Sequence, residues 1–311
     1  ALKVNQGSYN VAVGHHNLLN NSTGEGNTSV GYKAGDAVTT GTSNVLVGKD
    51  AGGALTTGHA IVAIGDAALF SLTTVGNATG VGHTAGQYQT GVHNTWVGYK
   101  AGKGTSGSST GTYNTAVGSQ AGEDLTTGQS GTFIGYSAGK NVTTGSQNCA
   151  IGANALETCT TGADNIAYGT SSLGQTTGSQ NVAIGKNSGY DITSGSNNIV
   201  IGYDADVSSA TGSNEVTIGN SSITKFRIPG LNFVVKDSTA TEDHVLTVDA
   251  NGEASWEAAG GGTVADGCIY ENSQTISNNY TMTTNKNGMS AGPITVSATV
   301  TIPSGSSWSI V

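Results

Sequence analysis

Thirteen glycines recur at a nearly constant interval through the first two thirds of the chain: Gly14, Gly31, Gly48, Gly65, Gly82, Gly98, Gly118, Gly135, Gly152, Gly169, Gly185, Gly202 and Gly219. The successive gaps are 17, 17, 17, 17, 16, 20, 17, 17, 17, 16, 17 and 17 residues. A period this strict means one supersecondary unit stacked on itself rather than a conventional globular domain. Each unit has a strand-like core. The residue before the glycine is Val or Ile in twelve of thirteen units, with Tyr168 as the exception. Three residues before it stands Val, Thr or Ile, with Cys149 as the exception. Between the two lies a mostly small residue such as Ala12, Ser29, Ala63, Gly80 or Ala116. Asn usually opens the segment, Ala often follows three residues after the glycine, and a Thr-Gly turn closes most units.

This pattern predicts a short β-branched strand, a glycine corner, a second short stretch and a turn. The predicted fold is all-β: a parallel β-solenoid or β-roll of about 13 coils over residues 1–219. Side chains alternate along a strand, so the residues one and three before the glycine share a face and the small residue points the other way. Both sets are apolar enough to need cover. The solenoid interior covers one, and a neighbouring subunit is expected to cover the other. Trp96 and Phe133 stand at the usually small position and are expected to pack into that neighbour. Twelve intervals at a strand spacing of about 4.8 Å give an array roughly 58 Å long.

Composition narrows the function classes. Only 10% of the 311 residues are charged, 6% are aromatic and 49 are Gly. Tracts this polar are often disordered, but disorder does not keep a Val/Ile register. All three prolines, Pro229, Pro293 and Pro303, lie beyond the array, where no ladder N–H is lost. The net charge is −9 with scattered Lys and Arg, which argues against nucleic-acid binding. No segment has the length and apolarity of a membrane-spanning helix, so no membrane insertion is expected. Three cysteines make no disulfide framework. Cys149 reads as a replacement for a β-branched residue, with a Cys149–Cys159 bridge as the alternative.

Residues 220–262 break the period and read as a connector. It contains an apolar cluster around Pro229-Gly230 and a hairpin in which Val245–Asp249 returns through Asn251-Gly252 to Ala254–Glu257. Residues 263–311 read as a small C-terminal β module, marginal on its own at this size and expected to be completed by other copies.

The recurring Asn-x-x-Val/Ile-Gly-x-x-Ala pattern resembles the head repeats of trimeric autotransporter adhesins, with longer units. That resemblance implies left-handed coils and a homotrimer, intertwined or side by side. The tail resembles the C-terminal segment of bacteriophage tail-fibre and tail-structural proteins. The residues carrying that likeness are Ile269-Tyr270-Glu271-Asn272, Gly292-Pro293-Ile294-Thr295-Val296 and Val300 through Val311. Together the two resemblances imply a fibre of a virion tail, outside the cell, whose partners are its own copies, other tail proteins and a host surface glycan or protein receptor. A bacterial surface adhesin head or a self-assembling extracellular filament is the alternative.

No catalytic chemistry is legible. A hydrolytic spike needs paired acids in a groove, and the array carboxylates recur at no common offset on adjacent coils. No cofactor or metal site is expected: the Gly-Gly-x-Gly-x-Asp calcium repeat is missing, and His15 and His16 should diverge on an extended backbone. The candidate ligand contacts are Tyr32, Tyr99, Tyr136 and Tyr203, each directly after a repeat glycine where neighbouring coils carry polar residues. Exposed tyrosines can stack on sugar rings, and they can equally shield the ladder.

Overall fold

The computed structural model describes residues 3, 5–227, 244–248, 254–258, 264–265, 269–270, 275–290 and 292–311. These form two compact units, Ala1–Phe226 and Arg227–Val311. The first unit is a parallel β-solenoid. Its strands are β1 (Val11–Val13), β2 (Thr28–Val30), β3 (Val45–Val47), β4 (Val62–Ile64), β5 (Thr79–Val81), β6 (Thr95–Val97), β7 (Thr115–Val117), β8 (Thr132–Ile134), β9 (Cys149–Ile151), β10 (Ile166–Tyr168), β11 (Val182–Ile184), β12 (Ile199–Ile201) and β13 (Val216–Ile218). They form one sheet in chain order, every pair parallel and in register at the repeat, as in Thr132↔Cys149 and Ile134↔Ile151. Among the described residues there is no helix.

The repeat glycine is dictated by geometry. Gly135 has φ 135°, and a Cβ there would stand 2.6 Å from the Gly152 carbonyl oxygen of the next coil. The other twelve repeat glycines also have positive φ, so a side chain at the corner would be strained throughout the stack.

Which side of the strand faces inward differs from the sequence expectation. The middle residue points into the coil: Leu46, Ala63, Trp96, Ala116, Phe133, Ala150, Ala167, Ala183 and Val200 are fully buried. The β-branched residues on either side point out. Trp96 and Phe133 are therefore not offered to a neighbour; they fill the interior of their own chain. The physical reason is width, because a coil of about 17 residues encloses little space and most coils can admit only a small side chain there.

A second inward position completes the packing. Four residues after the repeat glycine the backbone turns left-handed, and the residue is usually Gly or Leu. Leu18, Leu69, Leu156 and Leu173 occupy it in coils whose middle residues are Ala12, Ala63, Ala150 and Ala167. Gly52, Gly102 and Gly139 occupy it in coils whose middle residues are Leu46, Trp96 and Phe133. A Cβ at any of these three glycines would run into that large side chain. In these seven coils a large side chain at one position goes with a small one at the other. In the coils of Ser29/Gly35 and Gly80/Gly86 both are small, and side chains of the adjacent coils, Leu46 and Leu18 or Trp96 and Leu69, reach into the space. A third inward row lies seven residues after the glycine and includes Val38, Leu55, Leu72, Leu125, Val142, Cys159 and Ile192.

Asn closes the interior. The Asn44 side chain donates to the Gly58 carbonyl at 3.0 Å and accepts from the Ile61 N–H at 3.0 Å. Asn148, Asn165, Asn181 and Asn198 repeat the arrangement, each accepting the backbone N–H of the residue at the same position one coil on. The paired threonines form a ladder of their own: Thr126 Oγ1 donates to Thr143 O and Thr143 Oγ1 to Thr160 O, both at 3.0 Å. These Asn and Thr groups are satisfied from coil to coil, which a coil alone could not do. Among the described residues Asn17 Oδ1, Asn21 Oδ1, Gln89 Oε1 and the Trp96 indole N–H are buried without a partner. The long coil between Gly98 and Gly118 carries its extra residues as an exposed loop at 105–108.

In the second unit, β14 (His244–Val248) and β15 (Ala254–Ala258) pair antiparallel as the hairpin signal predicts. The apolar cluster around Pro229-Gly230, the Asn251-Gly252 turn, Gly260–Gly262 and Cys268 lie outside the described residues. β16 (Val264–Ala265) and β17 (Ile269–Tyr270) form a short antiparallel pair. The remaining strands are β18 (Thr275–Ile276), β19 (Tyr280–Thr281), β20 (Asn287–Ser290), β21 (Thr295–Val296), β22 (Val300–Thr301) and β23 (Ser307–Ile310). They pair parallel as Thr275↔Thr295, Tyr280↔Val300 and Asn287↔Ser307. All three pairs have the same offset of 20 residues, so the C-terminal module is itself two turns of a solenoid with a longer period.

Candidate interaction surfaces

The outward face of the thirteen-stranded sheet carries two parallel rows of side chains, one and three residues before each repeat glycine. Val30, Ile64, Val117, Ile134, Ile184 and Ile201 keep 37–42% of their surface in water. None of the twenty-six residues in the two rows is charged. The strip is about 58 Å long and about 10 Å wide, counting three residues per strand, or roughly 580 Å² in projection. Five of the twenty-six are Thr. The strip lies at the upper end of the largest apolar patch a typical monomer exposes, about 300–600 Å², and patches of that size often mark interaction surfaces.

Cys149 belongs to this outward face, whereas Cys159 is fully buried in the inward row. They lie on opposite sides of the coil wall and both are free thiols, so the alternative of a bridge is excluded. Burial raises both thiol pKa values, that of Cys159 to about 11.

Next to the strip runs the ridge formed by the residue after each glycine. It holds Tyr32, Tyr99, Tyr136 and Tyr203, all between 46 and 59% exposed. They sit on the second, sixth, eighth and twelfth coils, so successive tyrosines are about 19, 10 and 19 Å apart along the stack. They do not merge into one aromatic platform. Three carry a cation over the ring: Lys33 over Tyr32 at 5.7 Å, Lys100 over Tyr99 at 5.2 Å and Lys186 over Tyr203 at 5.7 Å. Two stack on a histidine of the coil before, His15 on Tyr32 at 5.7 Å and His83 on Tyr99 at 5.6 Å. Tyr136 makes no ring contact among the described residues and is the freest of the four.

His15 and His16 do not diverge. Their rings stack at 3.9 Å because His16 is left-handed at φ 54° rather than extended. Among the described residues, no three His, Cys, Asp or Glu side chains are grouped to hold a metal ion. Lys100 bonds Glu123 at 3.3 Å, and Gln120 supports the same carboxylate at 2.8 Å. The Glu123 hydrogen bond raises the Lys100 pKa. A second aromatic corner, not foreseen from the sequence, stacks His93 on Tyr113 at 5.1 Å.

The chain was compared with protein-family models, curated proteins and solved structures, and it matches none of them.

Proposed function

We propose that this chain is a structural fibre protein of a phage tail. It assembles as a homotrimer through the outward apolar strip and displays a host-contacting surface without catalysing a reaction. The carrying observation is the strip itself, thirteen in-register rungs with no charge and half-exposed Val and Ile. A partner that fits it along its length needs the same rung spacing, and another copy of the chain has it. The projected 580 Å² or so, widened by the flanking tyrosine ridge, approaches the roughly 800 Å² per partner of a standard interface. The tail-fibre resemblance of residues 269–311 supports the placement in a virion, outside the cell, beside other tail proteins and facing a host glycan or protein receptor.

The native mass tests the assembly. Light scattering after size exclusion is expected to give three times the 30.9 kDa chain mass. Ile134→Lys is expected to give monomers that remain folded, since Ile134 is already 38% exposed in the single chain. A monomeric unaltered chain sinks the proposal. Co-purification with tail particles separates a virion fibre from a bacterial surface adhesin or filament.

A further inference from the structure

The C-terminal module contains a cleft of about 440 Å³, in the size range of small-ligand sites. We propose that it binds a pyranose ring bearing a carboxylate, an acidic sugar, which rests on the display function proposed above. Its apolar walls include Ile276, Met282 and Trp308. Trp308 lies opposite Gly288 in the β20–β23 ladder, and with no side chain on Gly288 the Met282 methyl packs into the space beside the indole. The Trp308 indole N–H donates to Ser290 Oγ at 2.9 Å, which fixes the plane of the ring. A fixed, partly open indole beside buried Met282 is a surface on which the apolar face of a sugar can stack.

The rim combines hydroxyls of Tyr280, Thr283 and Ser290, which can donate and accept, with two groups left to donate only. Asn287 Oδ1 is occupied by the Ser307 N–H at 3.1 Å and the Ser307 hydroxyl at 2.8 Å, so its NH₂ group remains to donate. The Lys286 ammonium is the other, and it makes no ion pair among the described residues. Lys286 is the one charged side chain between Asn272 and Val311, in a chain of net charge −9. A hydroxyl- and amide-bearing rim whose one charge is an unpaired cation favours a polyhydroxylated ligand with a single negative charge. A nucleic acid would need several cations, and a wholly apolar ligand would leave the lysine and amide without partners.

The test uses the full chain labelled with 5-fluorotryptophan, whose three tryptophans give separate fluorine signals. The Trp308 signal is assigned by its loss in Trp308→Phe. Methyl β-D-glucuronide is expected to shift it with millimolar affinity, and the neutral methyl β-D-glucoside to bind about tenfold more weakly. Lys286→Gln, a change at an exposed residue, is expected to abolish that preference. No shift with either sugar overturns the proposal. So does equal binding of both sugars in the unaltered chain. A Trp308 signal that answers to protein concentration and not to sugar also overturns it, by showing that a second copy covers the cleft. A chain that assembles and co-purifies with tail particles but fails here removes the cleft assignment alone. A monomer that still binds the glucuronide removes the fibre reading alone.

Discussion

The exchange of volume between the middle of the strand and the left-handed position four residues after the glycine can be tested as a thermodynamic cycle in the eighth coil. Phe133 is fully buried, and a Cβ on Gly139 would collide with its ring. Phe133→Ala removes the ring and leaves a cavity, at a cost of about 3–5 kcal/mol. Gly139→Leu alone must overpack that coil, about 1–3 kcal/mol, and must hold a branched residue left-handed, about 1–2 kcal/mol. The pair together recreates the Ala150 and Leu156 combination of the ninth coil. In the Phe133→Ala background the new leucine regains about 1.5–3 kcal/mol of burial against the same backbone cost, so it should be neutral or stabilising. The expected coupling is at least about 2 kcal/mol, within the range measured for residues in direct contact. Stacked repeats need not unfold in one step, so the assay is native-state hydrogen exchange. The amides to follow are Thr132, which donates to Asn148 O, and Gly135, which donates to Val117 O. If Gly139→Leu destabilises those amides equally in both backgrounds, the two positions do not share a volume and the packing rule is wrong.

Three further outcomes follow from the same structure. Gly135→Ala places a Cβ 2.6 Å from Gly152 O at φ 135°, and should cost about 3 kcal/mol from backbone strain alone, read as a lower urea midpoint by circular dichroism. Asn165→Leu leaves the Gly178 carbonyl and the Asn181 N–H without their buried partner, about 1–3 kcal/mol for each group, and amide exchange should rise in the tenth and eleventh coils before the rest of the stack. Burial raises the carboxyl pKa of Asp36, Asp124 and Asp206, so their contribution is present below the ordinary value of 3.8 and is lost as pH rises through the raised values. Glu215, held low first by the Ser208 hydroxyl, acts in the opposite sense and loses its contribution only as pH falls below its ordinary 4.5. The urea midpoint should therefore not fall between pH 7 and pH 4.5, and a steady decline over that window would contradict the signs assigned to the three aspartates.

The period was legible because the corner glycine answers to backbone geometry, which no neighbouring residue can change. The facing of the strand was not. Hydropathy sends Val and Ile inward before Ala, but the narrow coil reverses that order, and the reversal depends on coil diameter rather than on any residue type. The inward row of Val38, Leu55, Leu72, Leu125 and Ile192 was hidden among turn residues seven positions from the glycine, although reading down that single column would have found it. The two-turn repeat of the C-terminal module escaped because its coils share few residues, chiefly Thr275-x-Ser277 with Thr295-x-Ser297 and Thr281 with Thr301. On the surface, the four tyrosines could be read from their position. The lysines and histidines on their faces could not, because the contact depends on which residues stand one coil away and how the next backbone step turns.

A strip of near-identical rungs specifies its partner better than it specifies its alignment. For copies packed on the outward face, a slide of one rung leaves twelve of thirteen rungs in contact, so the apolar rows alone separate neighbouring alignments by a small fraction of the interface energy. A slipped register in an ordinary sheet is penalised because side chains change face. A slip of a whole coil here changes none. Whatever selects one alignment must therefore break the repeat. On the strip the breaks are few: Tyr168 in a column of Val and Ile, and Cys149 in a column of Val, Thr and Ile. In the proposed trimer, with the copies parallel and level, each of these would meet its own equivalent, and a one-rung slide would bring the Tyr168 ring to the level of Ile151 or Ile184 instead. The residues that look like errors in the pattern are the ones able to tell a copy where along the stack to sit.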